Sequence, residues 1–164
     1  MLQRFVPPAL PVAALCLLLA ACGDSGEAPD QTAVADAEFD VIDQRQNLLE
    51  GIGDSFRAIR GQMEGSPDFA VITTSAQTIN TNAVQIIDLF PAGTGIDSGA
   101  DTEALAVIWE DPDGFAAAHQ RLVAASETML EAAASNDPAM VEAAVGTLGA
   151  SCQNCHDTYR LDDE

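Results

Sequence analysis

The chain has 164 residues, with 26 Asp or Glu set against six Arg, no Lys, and a formal net charge of −20. A balance of that sign excludes nucleic acid as a partner and repels anionic lipid headgroups. It leaves two readings of the surface: steering of a basic partner, or solubility alone.

Residues 1–21 hold one cation, Arg4, followed by an apolar run from Ala9 to Ala21. The run is shorter than the roughly 20 residues of a spanning helix and meets polar, acidic sequence at once, which marks a secretory signal. Its end, Leu19-Ala20-Ala21-Cys22, resembles a bacterial lipobox. A signal of that type implies lipidation of Cys22 and attachment of the mature chain to a membrane by the lipid anchor only. The alternative is ordinary cleavage near Ala21. Cys16 is lost with the signal in either case. Residues 22–36 are rich in Gly, Asp, Ser, Pro and Ala and read as an acidic flexible tether. Residues 37–164 then form one domain with a single sizeable core.

The first helix is expected from Ala37 to Gln62, with Ile42, Leu49, Ile52, Phe56, Ile59 and Met63 on one face. Gly51 and Gly53 weaken it in isolation and point to close packing or a kink. A turn at Glu64-Gly65-Ser66 follows, with Ser66 as cap and Pro67 opening the second helix. Phe69, Ile72, Ala76, Ile79, Ala83, Ile86 and Phe90 form its stripe, and the polar Asn80–Asn82 region is compatible with the outer face. Pro91–Asp101 is a Gly-rich loop, and a short helical segment ends at Ile108-Trp109. Asp111-Pro112 starts the third long helix, striped by Phe115, Ala118, Leu122, Ala125, Met129 and Ala132. Asn136-Asp137-Pro138 turns the chain into the fourth, whose inner face takes Met140, Ala144, Val145, Leu148, Cys152, Cys155 and Tyr159. Four apolar stripes with short first and third links predict an all-α, antiparallel four-helix bundle.

The fourth stripe contains Cys152-Gln153-Asn154-Cys155-His156. C-x-x-C-H is the attachment signature of haem c. Two thiols three positions apart reach the two porphyrin vinyl groups, and the next imidazole reaches the iron. On a helix the three side chains share one face. A thioredoxin-like motif needs a βαβ context, and a zinc site needs about four ligands; beyond these three residues the chain offers only Cys16, Cys22 and His119.

From about residue 38 to 160 the chain resembles the cytochrome c′ family, the class II c-type cytochromes, themselves a named example of the four-helix bundle. The motif lies at the C-terminal end, within Gly149-Ala150-Ser151-Cys152-Gln153-Asn154-Cys155-His156-Asp157-Thr158-Tyr159-Arg160. Phe90-Pro91-Ala92-Gly93-Thr94, Ile108-Trp109 with Phe115, and Arg45-Gln46 also match. The resemblance implies one covalent haem c, with Cys152 and Cys155 as thioether anchors and His156 as proximal iron ligand. It further implies Arg160 beside the proximal face, and Arg45 and Gln46 toward the haem propionates. Glu103 is a weaker candidate for a propionate neighbour.

The same resemblance puts Leu49 over the sixth iron position. Leu has no donor atom, and no Met or His lies between Ala37 and Gln62. Met63 is nearly four turns from Leu49. His119 reads as a flanking or surface histidine, and Met129 and Met140 as core filler. The expectation is a five-coordinate haem in an exported, lipid-anchored protein of the bacterial periplasm. Its function is electron transfer with periplasmic redox proteins, basic ones among them; the alternative is binding of nitric oxide or carbon monoxide at the open distal site. A peroxidase, and an enzyme in general, is disfavoured by the lack of a distal acid–base residue. Homodimerisation through the first two helices is a family habit.

Overall fold

A computed structural model describes residues 31–162, with side chains from Asp40 onward. The signal, Cys22 and residues 23–30 lie outside the described residues. The elements are α1 (Gln31–Gln62), α2 (Phe69–Gln85), a short α3 (Val107–Glu110), α4 (Pro112–Ser135) and α5 (Pro138–Tyr159). Among the described residues there is no strand, only an isolated antiparallel bridge between Ala104 and Arg160. The four long helices form the expected bundle. α1 packs on α2, α2 on α4 and α4 on α5, whereas α1 and α5 barely touch.

α1 is already helical at Gln31, ahead of the expected Ala37. The run from Gln31 carries alanines at 33, 35 and 37, the best helix former, so the helix takes in the end of the segment read as tether.

The core follows the stripes. Ile59, Ile72, Ile79, Met129, Val141 and Leu148 are fully buried, interleaved with Ala76, Ala83, Ala125 and Ala132. Small residues at facing positions let helix axes approach. Ile79→Ala is expected to cost about 3 kcal/mol, the transfer term plus a cavity, read as a lower urea midpoint at unchanged m-value.

Four expectations are corrected. The cap of α2 is Asp68 rather than Ser66: its carboxylate accepts from the Ala70 and Val71 amides at 2.9 and 3.4 Å. Pro67 thus precedes the cap instead of opening the helix. α2 gives way to a 3₁₀ turn at Ile86–Leu89 instead of running on to Phe90. Met140 is 47% exposed, and Val141 takes the inward place. The phase is set by Val141, Ala144 and Leu148, one residue away from the assumed start. Asn80 and Asn82 point between helices instead of outward. The Asn80 amide donates to Ser126 Oγ at 2.9 Å, and that of Asn82 to the Leu48 carbonyl at 3.1 Å. Gly51 makes room for the latter: a Cβ there would stand 2.8 Å from Asn82 Nδ2. The close packing expected at Gly51 is therefore an α1–α2 polar contact.

The starts of α4 and α5 are as expected. Asp111 accepts from the Gly114 amide and Asp137 from the Ala139 amide, each with proline next in sequence. Asn136 closes α4 in the left-handed region at φ 55°, one of the few non-glycine residues tolerant of it.

Candidate functional site: a cavity between the first and last helices

Where α1 and α5 stand apart, a cavity of about 770 Å³ opens, within the range of small-molecule and cofactor sites. Its walls are mostly apolar: Ile52 and Phe56 from α1, Ile86 after α2, Phe115 and Leu122 from α4. Phe115 anchors one aromatic cluster of its lining. Its ring meets Phe90 and Tyr159 edge-on, with centroids 4.9 and 5.2 Å away, a favourable geometry for aromatic pairs.

α5 brings Cys152, Cys155 and His156 to this cavity together. Both thiols are free and half-buried. Burial raises the pKa of Cys152, and burial together with Cys152 raises that of Cys155. The His156 pKa is lowered, first by desolvation at the cavity wall and then by Arg160, against the opposing pull of Asp157 and Glu103. That direction favours the neutral imidazole, the form that binds a metal.

α1 supplies Arg45, Gln46 and Leu49 to the other wall. Leu49 is 38% exposed and adds only hydrocarbon. Arg45 is 2% exposed and has no carboxylate against it among the described ion pairs. Its guanidinium instead grips the Pro91–Asp101 loop and the residue after it. Nη1 donates to Thr94 Oγ1 at 2.7 Å and to the Leu89 carbonyl at 3.4 Å. Nη2 donates to Thr102 Oγ1 at 2.7 Å and to the Thr94 carbonyl. The planar cation also lies over the Phe90 ring, 4.8 Å from its centroid. Burial lowers its pKa, yet a guanidinium stays charged. Gln46 donates to the Asp101 carbonyl at 2.7 Å. The pair expected to face propionates lines the cavity and, in this structure, holds the loop.

The same loop is tied to α5. Beyond the Ala104–Arg160 bridge, the Leu105 amide donates to the Tyr159 carbonyl at 3.0 Å and the Leu161 amide to the Glu103 carbonyl at 2.8 Å. Arg160 Nε donates to Glu103 Oε2 at 2.6 Å in a half-exposed ion pair, a class worth only about 0.2–1 kcal/mol. Glu103, read as a neighbour of a propionate, is here the partner of Arg160. Both line the cavity.

His119 is less peripheral than expected. It is half-buried, lines the cavity, and sets Nε2 2.8 Å from the Ala83 carbonyl. A carbonyl only accepts, so Nε2 carries the proton.

Thr94 and Thr102 are the functional residues that pattern reading missed. Thr94 stood in the matching stretch Phe90-Pro91-Ala92-Gly93-Thr94 without a role assigned to it. Thr94→Val keeps the shape but strips Arg45 of an acceptor beside its buried charge. It is expected to cost about 1–3 kcal/mol, measured by urea unfolding.

A largely apolar cavity with two thiols and an imidazole on one helix face fits a covalently held haem. Among the described residues no group of three His, Cys, Asp or Glu side chains is arranged for a metal ion, so the zinc alternative finds no ligand set there. Bundle and site together define a c-type cytochrome of the helical-bundle class. The family profile described as Cytochrome C′ matches residues 40–160. Cytochrome c′ of Rubrivivax gelatinosus is 30% identical over 121 residues, covering 74% of this chain and 94% of that protein. Its crystal structure superposes with a TM-score of 0.70 over 75% of this chain and 96% of that one, at 30% identity. Cytochrome c-556 of Agrobacterium fabrum is 35% identical over 122 residues, 73% of this chain and 80% of that protein. A nitric oxide complex of a cytochrome c prime variant from Alcaligenes xylosoxidans is similar at 26% identity, with a TM-score of 0.66 over 76% of this chain and 97% of that one. The chain belongs to the cytochrome c′ family, and its cofactor is one covalently bound haem c.

Proposed function

We propose that this protein is an electron carrier of the bacterial cell envelope whose iron keeps an open sixth position. Cys152 and Cys155 would hold the haem through thioethers and His156 would supply the axial imidazole, from one face of α5. When bound, the group supplies a one-electron couple at an iron able to take a small neutral ligand. The single observation that carries the reading is Leu49 on the cavity wall across from α5, with no donor atom to offer. Around it, Ile52 and Phe56 keep the wall apolar and disfavour water. Arg45 keeps a buried cation at the loop side of the cavity, suited to an anionic substituent of the cofactor. Gln46 and Arg160 border the same cavity and would orient the group at its rim.

The second reading is diatomic gas binding at the open position. The donor-free Leu49 wall favours it, as does the nitric oxide complex of the Alcaligenes relative. We read the protein as a carrier or binder rather than an enzyme. We further propose export to the periplasm, cleavage after residue 21, lipidation of Cys22, attachment by that lipid alone, and redox partners with basic surfaces.

Absorption and electron paramagnetic resonance spectra of the purified holoprotein, oxidised and reduced, test the assignment. High-spin spectra in both states, with a large shift on adding carbon monoxide, are expected; a low-spin iron in both states overturns it. Electron exchange with a partner cytochrome, compared with nitric oxide affinity, separates the two readings.

A further inference from the structure

The cavity lies at one end of the bundle. Its walls come from the first part of α1 inside the domain, the residues just after α2, the loop beyond them, the start of α4 and the last turns of α5. In an antiparallel bundle these pieces share one end, the end from which α1 sets out. The turns at 63–68 and at 136–137 mark the opposite end. The N-terminal segment therefore leads into the domain beside the cavity.

Resting on the reading of Cys22 as lipidated, we propose that the cavity end of the bundle faces the membrane. Its docking partner there is a membrane-embedded redox protein with a basic aqueous face. Cys22 and Gln31 are nine positions apart, which limits their separation to about 30 Å. The residues of α1 ahead of the family match at Asp40 add roughly 14 Å of helix. Reaching the far turns requires the length of α5 as well, 22 residues and about 33 Å. A flexible tether of nine residues spans on average only about 17 Å, so the attachment point biases the cavity end toward the bilayer.

Charge decides what that end can touch. Asp88, Asp97, Asp101, Glu103, Asp111 and Asp113 are exposed there, beside the exposed cation Arg121; the exposed Arg57 and Arg60 lie near the far end of α1, among exposed acids such as Glu64 and Asp68. Anionic headgroups repel such a surface. The helical stand-off of roughly 14 Å exceeds the Debye length of about 8 Å, so the repulsion is screened to roughly a fifth. The end stays clear of lipid and open to protein. Leu161, 48% exposed, gives a partner an apolar contact within the acidic surround. Complementarity then requires cations on the other side.

The full holo-lipoprotein in phosphatidylcholine vesicles carrying a nickel-chelating headgroup tests the orientation. A nitroxide is placed at Asp97→Cys, at the cavity end, or at Gly65→Cys, at a far turn, with Cys152 and Cys155 taken up by the haem. Relaxation is compared with and without nickel, so that the haem contributes equally to both. Given helix lengths near 33 Å, the nickel effect at position 97 is expected to exceed that at 65 by about twofold or more. Equal or reversed effects overturn the orientation. The mass of the N-terminal peptide separates the causes. No acyl mass on Cys22 overturns the anchoring and this proposal with it; acyl mass with reversed labels overturns the orientation alone. Haem reduction by native energised membranes should slow as salt rises and in the Asp97→Asn, Asp101→Asn double variant. A rate indifferent to both overturns the basic partner.

Discussion

Replacing Cys152 and Cys155 together by alanine abolishes covalent haem retention: acid–acetone extraction strips all colour from the double variant and none from the wild type. Both thiols lie on the cavity face of α5, three positions apart, and no other free cysteine occurs among the described residues. Either single variant keeps one anchor and retains haem through the extraction. The double variant also loses stability. A group that binds the folded chain and is held permanently in place acts like a ligand far above its dissociation constant, worth about 4 kcal/mol at a thousandfold excess. For a domain of this size the thermal midpoint falls by roughly 10 °C or more. A double variant that keeps its haem through extraction removes the attachment assignment.

Leu49→Met has the second largest expected effect. Leu and Met have similar volumes, so the fold is expected to change by less than about 1.5 kcal/mol. Leu49 borders the cavity from α1, and the substitution puts a thioether sulfur, a known haem ligand, where only methyl groups stand. The predicted outcome is conversion of a high-spin spectrum to a low-spin one. Carbon monoxide affinity drops by about tenfold or more, since only the fraction of protein with an open position can bind. An unchanged high-spin spectrum means that Leu49 does not face the iron and that some other wall residue covers it.

Local and periodic information carried most of the architecture. Asp111-Pro112 and Asp137-Pro138 announce their helices within two residues, and the α4 stripe from Phe115 to Ala132 is buried throughout. Errors arose where a choice was finely balanced. At α2 the Asp68 carboxylate takes the cap expected of Ser66, two residues earlier, and at α5 one residue of phase separates the exposed Met140 from the buried Val141. The haem motif was legible because its three residues are adjacent on one helix. The loop clamp was not: Arg45 and Thr94 are 49 positions apart, and no periodicity links a helix arginine to a loop hydroxyl. The inward turn of Asn80 and Asn82 was hidden for a similar reason, since polar residues on a stripe's flank satisfy themselves only once a neighbouring helix is in place.

Trp109 packs against the cluster of Phe115 and Tyr159 that lines the cavity, its indole nitrogen 3.0 Å from the Phe90 carbonyl and its ring so close to Gly95 that a Cβ there would stand 2.7 Å away. It is the sole tryptophan of the chain. The molecule thereby carries a built-in emission probe at a single fixed place. A porphyrin in the neighbouring cavity would quench that emission by energy transfer, so the loss of ultraviolet fluorescence can time cofactor insertion without any label.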